Sequence, residues 1–352
     1  MSKLPGRGSN TNPEGRFEKL AFEIDGDELD RRENENESIA AKTQFFRDSS
    51  RTIVTENNSP DIPFRFSVNP YRGCEHGCAY CYARPTHEYL NLSAGIDFES
   101  KIFVKKDAPE LLREKLMKPS WQSALIVMSG ITDCYQPIER KLELTRGCLK
   151  VLGEFKNPVA MITKNRLVTR DIDLLKPLAE LGAAHVTLSV TTLDPKLSAV
   201  LEPRTSHPQA RLQAIEELAK AGIPVGVNLA PMIPGLTDHE IPAILKAAAD
   251  AGAKTSGFVP LRLPFTVAPL FSAWLETHRT EQKEKVLSRI RDMRGGKLND
   301  PNFESRMRGQ GPIAENMRQV FEVYSRKYGF NRDRFDLETK HFSRPGDQLS
   351  LL

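Results

Sequence analysis

The sequence predicts an α/β fold, a partial (β/α)6 barrel of the TIM type, with a polar N-terminal extension over residues 1–50 and a helical C-terminal extension over 265–352. Three observations carry this. Short apolar runs bounded by turn residues recur at Phe66–Asn69, Ala124–Met128, Val159–Ile162, Val186–Val190, Val225–Ile233 and Gly257–Leu261. Amphipathic patterns of helical period lie between them. Several of these end on glycine, as at Leu181-Gly182, Ala221-Gly222 and Ala251-Gly252. Apolar strands alternating with such helices are the pattern of a parallel sheet with right-handed crossovers. About six units suit a barrel or partial barrel, and an open doubly wound sheet satisfies the same alternation.

In chain order, residues 1–50 are polar, and Asp25–Glu37 is dense in Asp, Glu, Asn and Arg. Such a stretch is expected to be mostly disordered or loosely docked. Phe45, Phe46, Ile53 and Val54 are where the chain is expected to reach a core. The barrel is assigned to residues 51–264. Ala108–Met117 carries Leu111, Leu112 and Leu116 at helical spacing, and Ile138–Phe155 does the same with Leu142, Leu149 and Leu152. Further helices are predicted at Ile172–Leu181, Gln209–Ala221 and Glu240–Ala251. After Pro264 helices replace strands, at Leu270–Glu276, Gln282–Arg294 and Ile313–Tyr328, with a Gly- and Arg-rich loop before the last.

Composition narrows the function classes. The chain has 352 residues, 39% of them hydrophobic and 27% charged, ample for a large core. No run of about 18 apolar residues is present, so no membrane span is expected. The opening M-S-K-L-P-G-R-G-S-N lacks the apolar segment of a secretory signal. Five cysteines, three of them clustered, do not form a disulfide framework and fit a reducing cytoplasm. Net charge is only +4. From Arg279 to Arg344, however, 16 Lys/Arg face 10 Asp/Glu, a surplus that suits either a polyanion or a solvated helical surface.

The candidate chemistry sits in Asn69–Arg84, N-P-Y-R-G-C-E-H-G-C-A-Y-C-Y-A-R. Cys74, Cys78 and Cys81 are spaced C-x3-C-x2-C. Three thiolates on one short loop can hold three corners of a metal cluster and leave a fourth open, as a catalytic site requires. A structural zinc site is the alternative, with His76, His87 or Cys134 as fourth ligand. The loop follows the first strand, and chemistry in a parallel barrel sits at the carboxyl ends of strands.

This loop, with Tyr80 just before its last cysteine, resembles the signature of the radical S-adenosylmethionine superfamily. The wording N-P-Y-x-G-C-x-H-x-C-x-Y-C-Y-A-R is similar to the spore photoproduct lyase-like, or "DNA repair photolyase", branch. The resemblance implies a 4Fe-4S cluster on Cys74, Cys78 and Cys81, and S-adenosylmethionine as cosubstrate. It also implies reductive cleavage to a 5′-deoxyadenosyl radical that abstracts hydrogen from a substrate. Tyr80 is expected at the cofactor. S-G-I-T-D after the second strand stands where the superfamily binds the methionine amine, which gives Thr132 and Asp133 that role, with helix capping as the other use of the pair. Lys164, at the third strand end, matches a lysine on the cosubstrate carboxylate. Ser189 and Thr191, on one face of the fourth strand, match ribose contacts. Arg204 in L-E-P-R is expected to bridge to the carboxylate or to hold the loop. Ile233 is expected against adenine.

In the lyase a donor cysteine lies just before the residues matching Thr132-Asp133. Here that neighbourhood is Gly130-Ile131, and Cys134 follows the pair, so thymine-dimer repair is not implied. Cys134 stands as a candidate hydrogen-atom donor or ligand. The expected partners are S-adenosylmethionine, a reducing protein such as flavodoxin or ferredoxin, and an unidentified substrate for which nucleic acid is open. A monomer is expected. The alternative is a zinc-stabilised nucleic-acid-binding protein that uses the cysteine loop structurally and the basic tail for phosphates.

Overall fold

The computed structural model describes residues 6–13, 16, 42–332 and 336–346. Ten strands and eight principal helices organise it. The strands are β1 (Gln44–Arg47), β2 (Val54–Glu56), β3 (Phe66–Val68), β4 (Tyr71–Arg72), β5 (Lys101–Val104), β6 (Ile126–Met128), β7 (Val159–Thr163), β8 (Ala184–Ser189), β9 (Val225–Met232) and β10 (Thr255–Pro260). The helices are α1 (Ala108–Met117), α2 (Leu144–Glu154), α3 (Ile172–Glu180), α4 (Pro208–Lys220), α5 (Ile241–Asp250), α6 (Val267–His278), α7 (Lys283–Asp292) and α8 (Gly311–Lys327).

β3 and β6 to β10 form one sheet in sequence order, every neighbouring pair parallel, with β2 antiparallel on the β3 edge. A doubly wound sheet would reverse strand order at a switch point. Strictly sequential order puts every crossover helix on one face, so the sheet curls around the other. The end strands β10 and β3 are not paired, so the barrel stays partial.

Strand alternation sorts the two faces. Val186 and Leu188 of β8 and Val225 and Val227 of β9 enter the main core with Leu149, Leu175, Ile215 and Leu245 of the surrounding helices. The other face mixes small and polar residues, Ala160, His185, Thr187, Ser189, Gly226 and Asn228, with Val127 and Ile162. His185 Nε2 meets Thr255 Oγ1 there at 3.0 Å, across Gly226.

The predicted helix Ile138–Phe155 is broken. Glu143 adopts a left-handed φ of 51° and separates a short turn, Glu139–Leu142, from α2. The buried Glu139 carboxylate accepts the Thr145 amide at 3.1 Å and Arg170 Nη2 at 2.9 Å, which fixes the break.

Of the N-terminal extension, residues 1–5, 14–15 and 17–41, including the charged stretch 25–37, lie outside the described residues. Its described segments dock. β1 pairs with β5 in a small second sheet, where Phe46 stacks on Phe103 at 5.2 Å and stays largely exposed. In the C-terminal extension, α6 and α7 pack Phe271, Trp274, Leu287 and Ile290 beneath the cysteine loop. Phe321 of α8 stacks on Phe258, and Asn331 bonds the Ser256 amide and carbonyl at 3.0 and 3.1 Å, covering the open β10 edge.

Candidate active site

The cysteine loop leaves the sheet at the carboxyl end of β3. Its backbone is held from several sides while its thiols are left free. Cys74 N donates to Phe98 O and Ala79 N to Leu201 O, each at 3.0 Å. The fully buried Arg84 gathers the carbonyls of Cys78 at 3.1 and 3.0 Å and of Gly95 at 2.8 Å, and pairs with Glu99 at 2.8 Å. A guanidinium with five donors suits this task, since it converts loose loop carbonyls into a fixed array. Cys74 and Cys78 are buried and Cys81 is half-buried, all three as free thiols. Burial pushes each thiol above its ordinary pKa.

Later strand ends converge on this loop. Asp133 anchors them. Its Oδ1 accepts Thr163 Oγ1 at 2.7 Å and the Tyr135 amide at 2.9 Å; its Oδ2 accepts the Lys164 amide at 2.8 Å and faces His76 Nδ1 at 3.4 Å. The carboxylate is thus engaged at four sites, its usual capacity. Thr132 is buried and donates to Tyr71 O at 2.9 Å. The side chains expected to take a cosubstrate amine are therefore committed to tying the β6 loop to β7 and to the cysteine loop.

Lys164 reaches inward, its Nζ 3.1 Å from Ala230 O and 5.8 Å from the Tyr80 ring centre. One acceptor leaves two of its three donors for a ligand. Ser189 is buried beside Asn228 in the register, and no described residue bonds its hydroxyl; its carbonyl accepts Arg211 Nη1 at 2.9 Å. Thr191 and Tyr80 point elsewhere than expected. Thr191 Oγ1 donates to Glu202 Oε1 at 2.8 Å and the Tyr80 hydroxyl makes a short bond to the same oxygen, so both hydroxyls are spent on Glu202. Glu202 also accepts Arg211 Nη2 at 2.5 Å, an ion pair with both side chains fully buried. Burial opposes the Glu202 charge, but Arg211 and Lys164 outweigh it and hold its pKa below the ordinary carboxylate value.

Arg204 holds the loop. Its Nη1 donates to Glu75 Oε1 at 2.8 Å and its amide to His76 O at 3.2 Å. Its Nη1 is the only side-chain nitrogen with a partner among the described residues, which leaves the other guanidinium donors for a bridge to the cosubstrate carboxylate. Ile233 is fully buried in the apolar cluster under Cys78 and Tyr80. Cys134 is not brought to the site. It is 1% exposed in the main core with Met128, Cys148 and Leu149, so its thiol is a packing group there.

Sequence reasoning passed over the residues that hold the loop. Glu75 Oε2 accepts the Ile138 amide at 2.8 Å, and Gln136 receives the Glu75 amide at 2.9 Å. The N-terminal Gly8 amide donates to the Glu99 carboxylate at 3.2 and 3.3 Å, and a Cβ on Gly8 would strike the Gly77 carbonyl. The only sequence signal for that docking is the glycine spacing of G-R-G-S.

The donor set fits a cluster held at three corners. Of the proposed fourth zinc ligands, His76 meets Asp133 and Asn165, Cys134 is packed in the core, and His87 meets Lys101 O through Nε2 at 2.9 Å while its Nδ1 is unbonded among the described residues. Among the described residues no three His, Cys, Asp or Glu side chains converge on a single-ion site.

Comparison with known proteins agrees with this geometry. The profile of the Radical SAM superfamily matches residues 68–248, just over half of the chain. An uncharacterised protein of Mycobacterium tuberculosis is 35% identical over 254 residues, covering 71% of this chain and 74% of that one. The Radical SAM Nalpha-GlyT isomerase of Pseudomonas phage M6 is 27% identical over 174 residues, 49% of this chain and 34% of that one. A spore photoproduct lyase structure superposes with a TM-score of 0.57 at 16% identity, covering 81% of this chain and 80% of that one, a likeness of fold. No helix among the described residues is long and apolar enough to cross a membrane. By its matched domain, its cysteine loop and its parallel partial barrel, the chain belongs to the radical SAM superfamily.

Proposed function

We propose that the protein is a reductive S-adenosylmethionine-cleaving enzyme whose substrate is a nucleotide or nucleic acid. The observation that carries the reaction is the set of three free thiols on a braced loop at the carboxyl ends of six parallel strands. Cys74, Cys78 and Cys81 would hold a 4Fe-4S cluster, and that cluster would supply the one electron that splits the sulfonium of S-adenosylmethionine into methionine and a 5′-deoxyadenosyl radical. The chain's own residues bind and orient. Lys164 Nζ, with two donors to spare, takes the cosubstrate carboxylate. Ser189 Oγ and the Asn228 amide, side by side on the inner face, take ribose hydroxyls. Arg204, Glu75 and Asp133 keep the thiols in register.

The nucleotide reading is supported by two relatives: the lyase was solved with S-adenosylmethionine and a dinucleoside spore photoproduct, and the phage protein is named an Nalpha-GlyT isomerase. The reductant is proposed to be a flavodoxin or ferredoxin. Anaerobic reconstitution tests the proposal. Brown protein with about four irons and four sulfides per chain is expected, together with 5′-deoxyadenosine after reduction. Cys81→Ala is expected to lose both. Colourless, zinc-loaded protein that yields no 5′-deoxyadenosine would overturn it.

A further inference from the structure

The barrel mouth carries a cation, Arg262, that the described residues leave without an oxygen acceptor. Arg262 follows β10 directly, at the carboxyl end of the sixth parallel strand. Its Nε is buried with no hydrogen-bond partner, and its Nη1 donates only to the Met307 sulfur at 3.0 Å, a weak acceptor. The two neighbouring arginines are built differently. Arg294 donates to the carbonyls of Leu261, Ser305 and Arg306 at 2.9, 3.0 and 2.8 Å. Arg306 donates to Asp61 at 2.5 Å and to Ser59 Oγ at 2.9 Å. Arg262 alone of the three has no oxygen acceptor among the described residues.

Its position faces the chemistry. The guanidinium carbon lies 5.9 Å from the ring centre of Tyr82, the residue after Cys81. Tyr82 is 50% exposed, and its hydroxyl donates to Gly130 O at 3.0 Å, so it spans the mouth from the β6 loop to the β10 end. Phe303, 55% exposed under the Arg306 guanidinium at 4.4 Å, adds a second aromatic face on the same side. The guanidinium is partly buried beside the like charges of Arg294 and Arg306, and the nearby carboxylate, Asp61, is already paired with Arg306, so a ligand that brings its own negative charge is favoured there. The free Nε edge of a guanidinium is a fork for two oxygens of one oxyanion. Positive neighbours and flanking aromatic faces favour a phosphate ester over a lone carboxylate. Met307 sits in a short turn just before Gly309, and its flexible thioether can yield the arm it holds.

We infer that Arg262 is a binding site for a phosphate group of the substrate, with Tyr82 and Phe303 beside it as stacking faces. The inference rests on the reading that substrate enters at this mouth. A mononucleotide and a strand would offer the same group.

The test uses the full chain, anaerobically reconstituted with S-adenosylmethionine present. The probes are thymidine, thymidine 5′-monophosphate and a short single-stranded DNA oligonucleotide, read by calorimetry or by anisotropy of the labelled strand. The monophosphate is expected to bind and thymidine is not. Arg262→Gln is expected to weaken phosphate binding by about tenfold or more, the worth of a charged hydrogen-bonded pair. Arg262→Lys should fall between, and exposed Arg308→Gln should bind like wild type. Melting curves of each variant check folding. Tighter binding of the oligonucleotide identifies a strand as the source of the phosphate, and equal binding a mononucleotide. Wild-type affinity in a folded Arg262→Gln, equal binding of thymidine and its monophosphate, or no binding of either phosphate probe would overturn the inference. The parent reading fails separately. If wild-type protein yields no 5′-deoxyadenosine while Arg262→Gln still loses phosphate, the reaction falls and the site stands.

Discussion

Replacing Glu202 with alanine strikes the buried ion pair beneath the cysteine loop. Glu202 is 1% exposed and Arg211 is fully buried. After the change Arg211 keeps neutral acceptors at Ser206 O, Ser189 O and Thr205 Oγ1, at 2.7, 2.9 and 2.6 Å, but no counter-charge. An uncompensated buried charge costs about 3–5 kcal/mol. The Tyr80 hydroxyl loses its strongest acceptor, and Thr191 falls back on Ala230 O at 3.4 Å, which adds about 1 kcal/mol or more. That is a large share of the roughly 5–15 kcal/mol that holds a typical domain. Glu202→Leu combined with Arg211→Met removes both charges and should recover most of the loss. Urea unfolding followed by circular dichroism measures each variant, with iron content read in parallel. Because Tyr80 lies between Cys78 and Cys81, Glu202→Ala should also lose iron. A cost under about 1 kcal/mol, or a double variant no better than the single, would refute the reasoning.

Asp133→Ala removes the acceptor of four groups at once and should cost about 2–4 kcal/mol in melting experiments, with Asp133→Asn milder. Ser189→Ala breaks no side-chain bond among the described residues, so its stability should stay within about 1 kcal/mol while S-adenosylmethionine binding weakens several-fold in a titration. Stability should also fall in acid. Burial lowers the pKa of His87 to about 4 from 6.5, and its Nδ1 has no acceptor to receive a proton. The unfolded chain therefore binds the proton first. The His87 contribution is full above about pH 6.5 and is lost as pH falls toward about 4, amounting to about 3 kcal/mol. Unfolding measured across that window should show the slope in wild type and a flatter one in His87→Gln.

The barrel was legible because strand and helix periods differ and every unit repeats the contrast. The apolar run at Val225–Ile233 and the strand Val225–Met232 nearly coincide, and Ala108–Met117 matches its helix end for end. The break at Glu143 was not legible, since Glu139 fixes it through Arg170, far along the chain. Nor were β1, β4 and β5, which are two to four residues long and take their stability from one another. At the site, residue types were visible and partners were not. A Thr-Asp pair at a strand end reads equally as ligand donor or brace, and the placement of Thr163, Lys164 and His76 around Asp133, which shows the brace, is not visible in the sequence. The bonds of Thr191 and Tyr80 to Glu202 are not legible either, because Glu202 is distant from Tyr80 in sequence. Cys134 shows the same limit: one position beyond Asp133, the chain has already turned into the core.

The central claim is that three thiols hold a cluster whose remaining corner receives S-adenosylmethionine. Electron paramagnetic resonance of the reduced, reconstituted protein tests it most directly. Addition of S-adenosylmethionine is expected to change the cluster signal in the wild-type protein, with 5′-deoxyadenosine formed in the same sample. A cluster signal indifferent to S-adenosylmethionine, with none cleaved, would contradict the account.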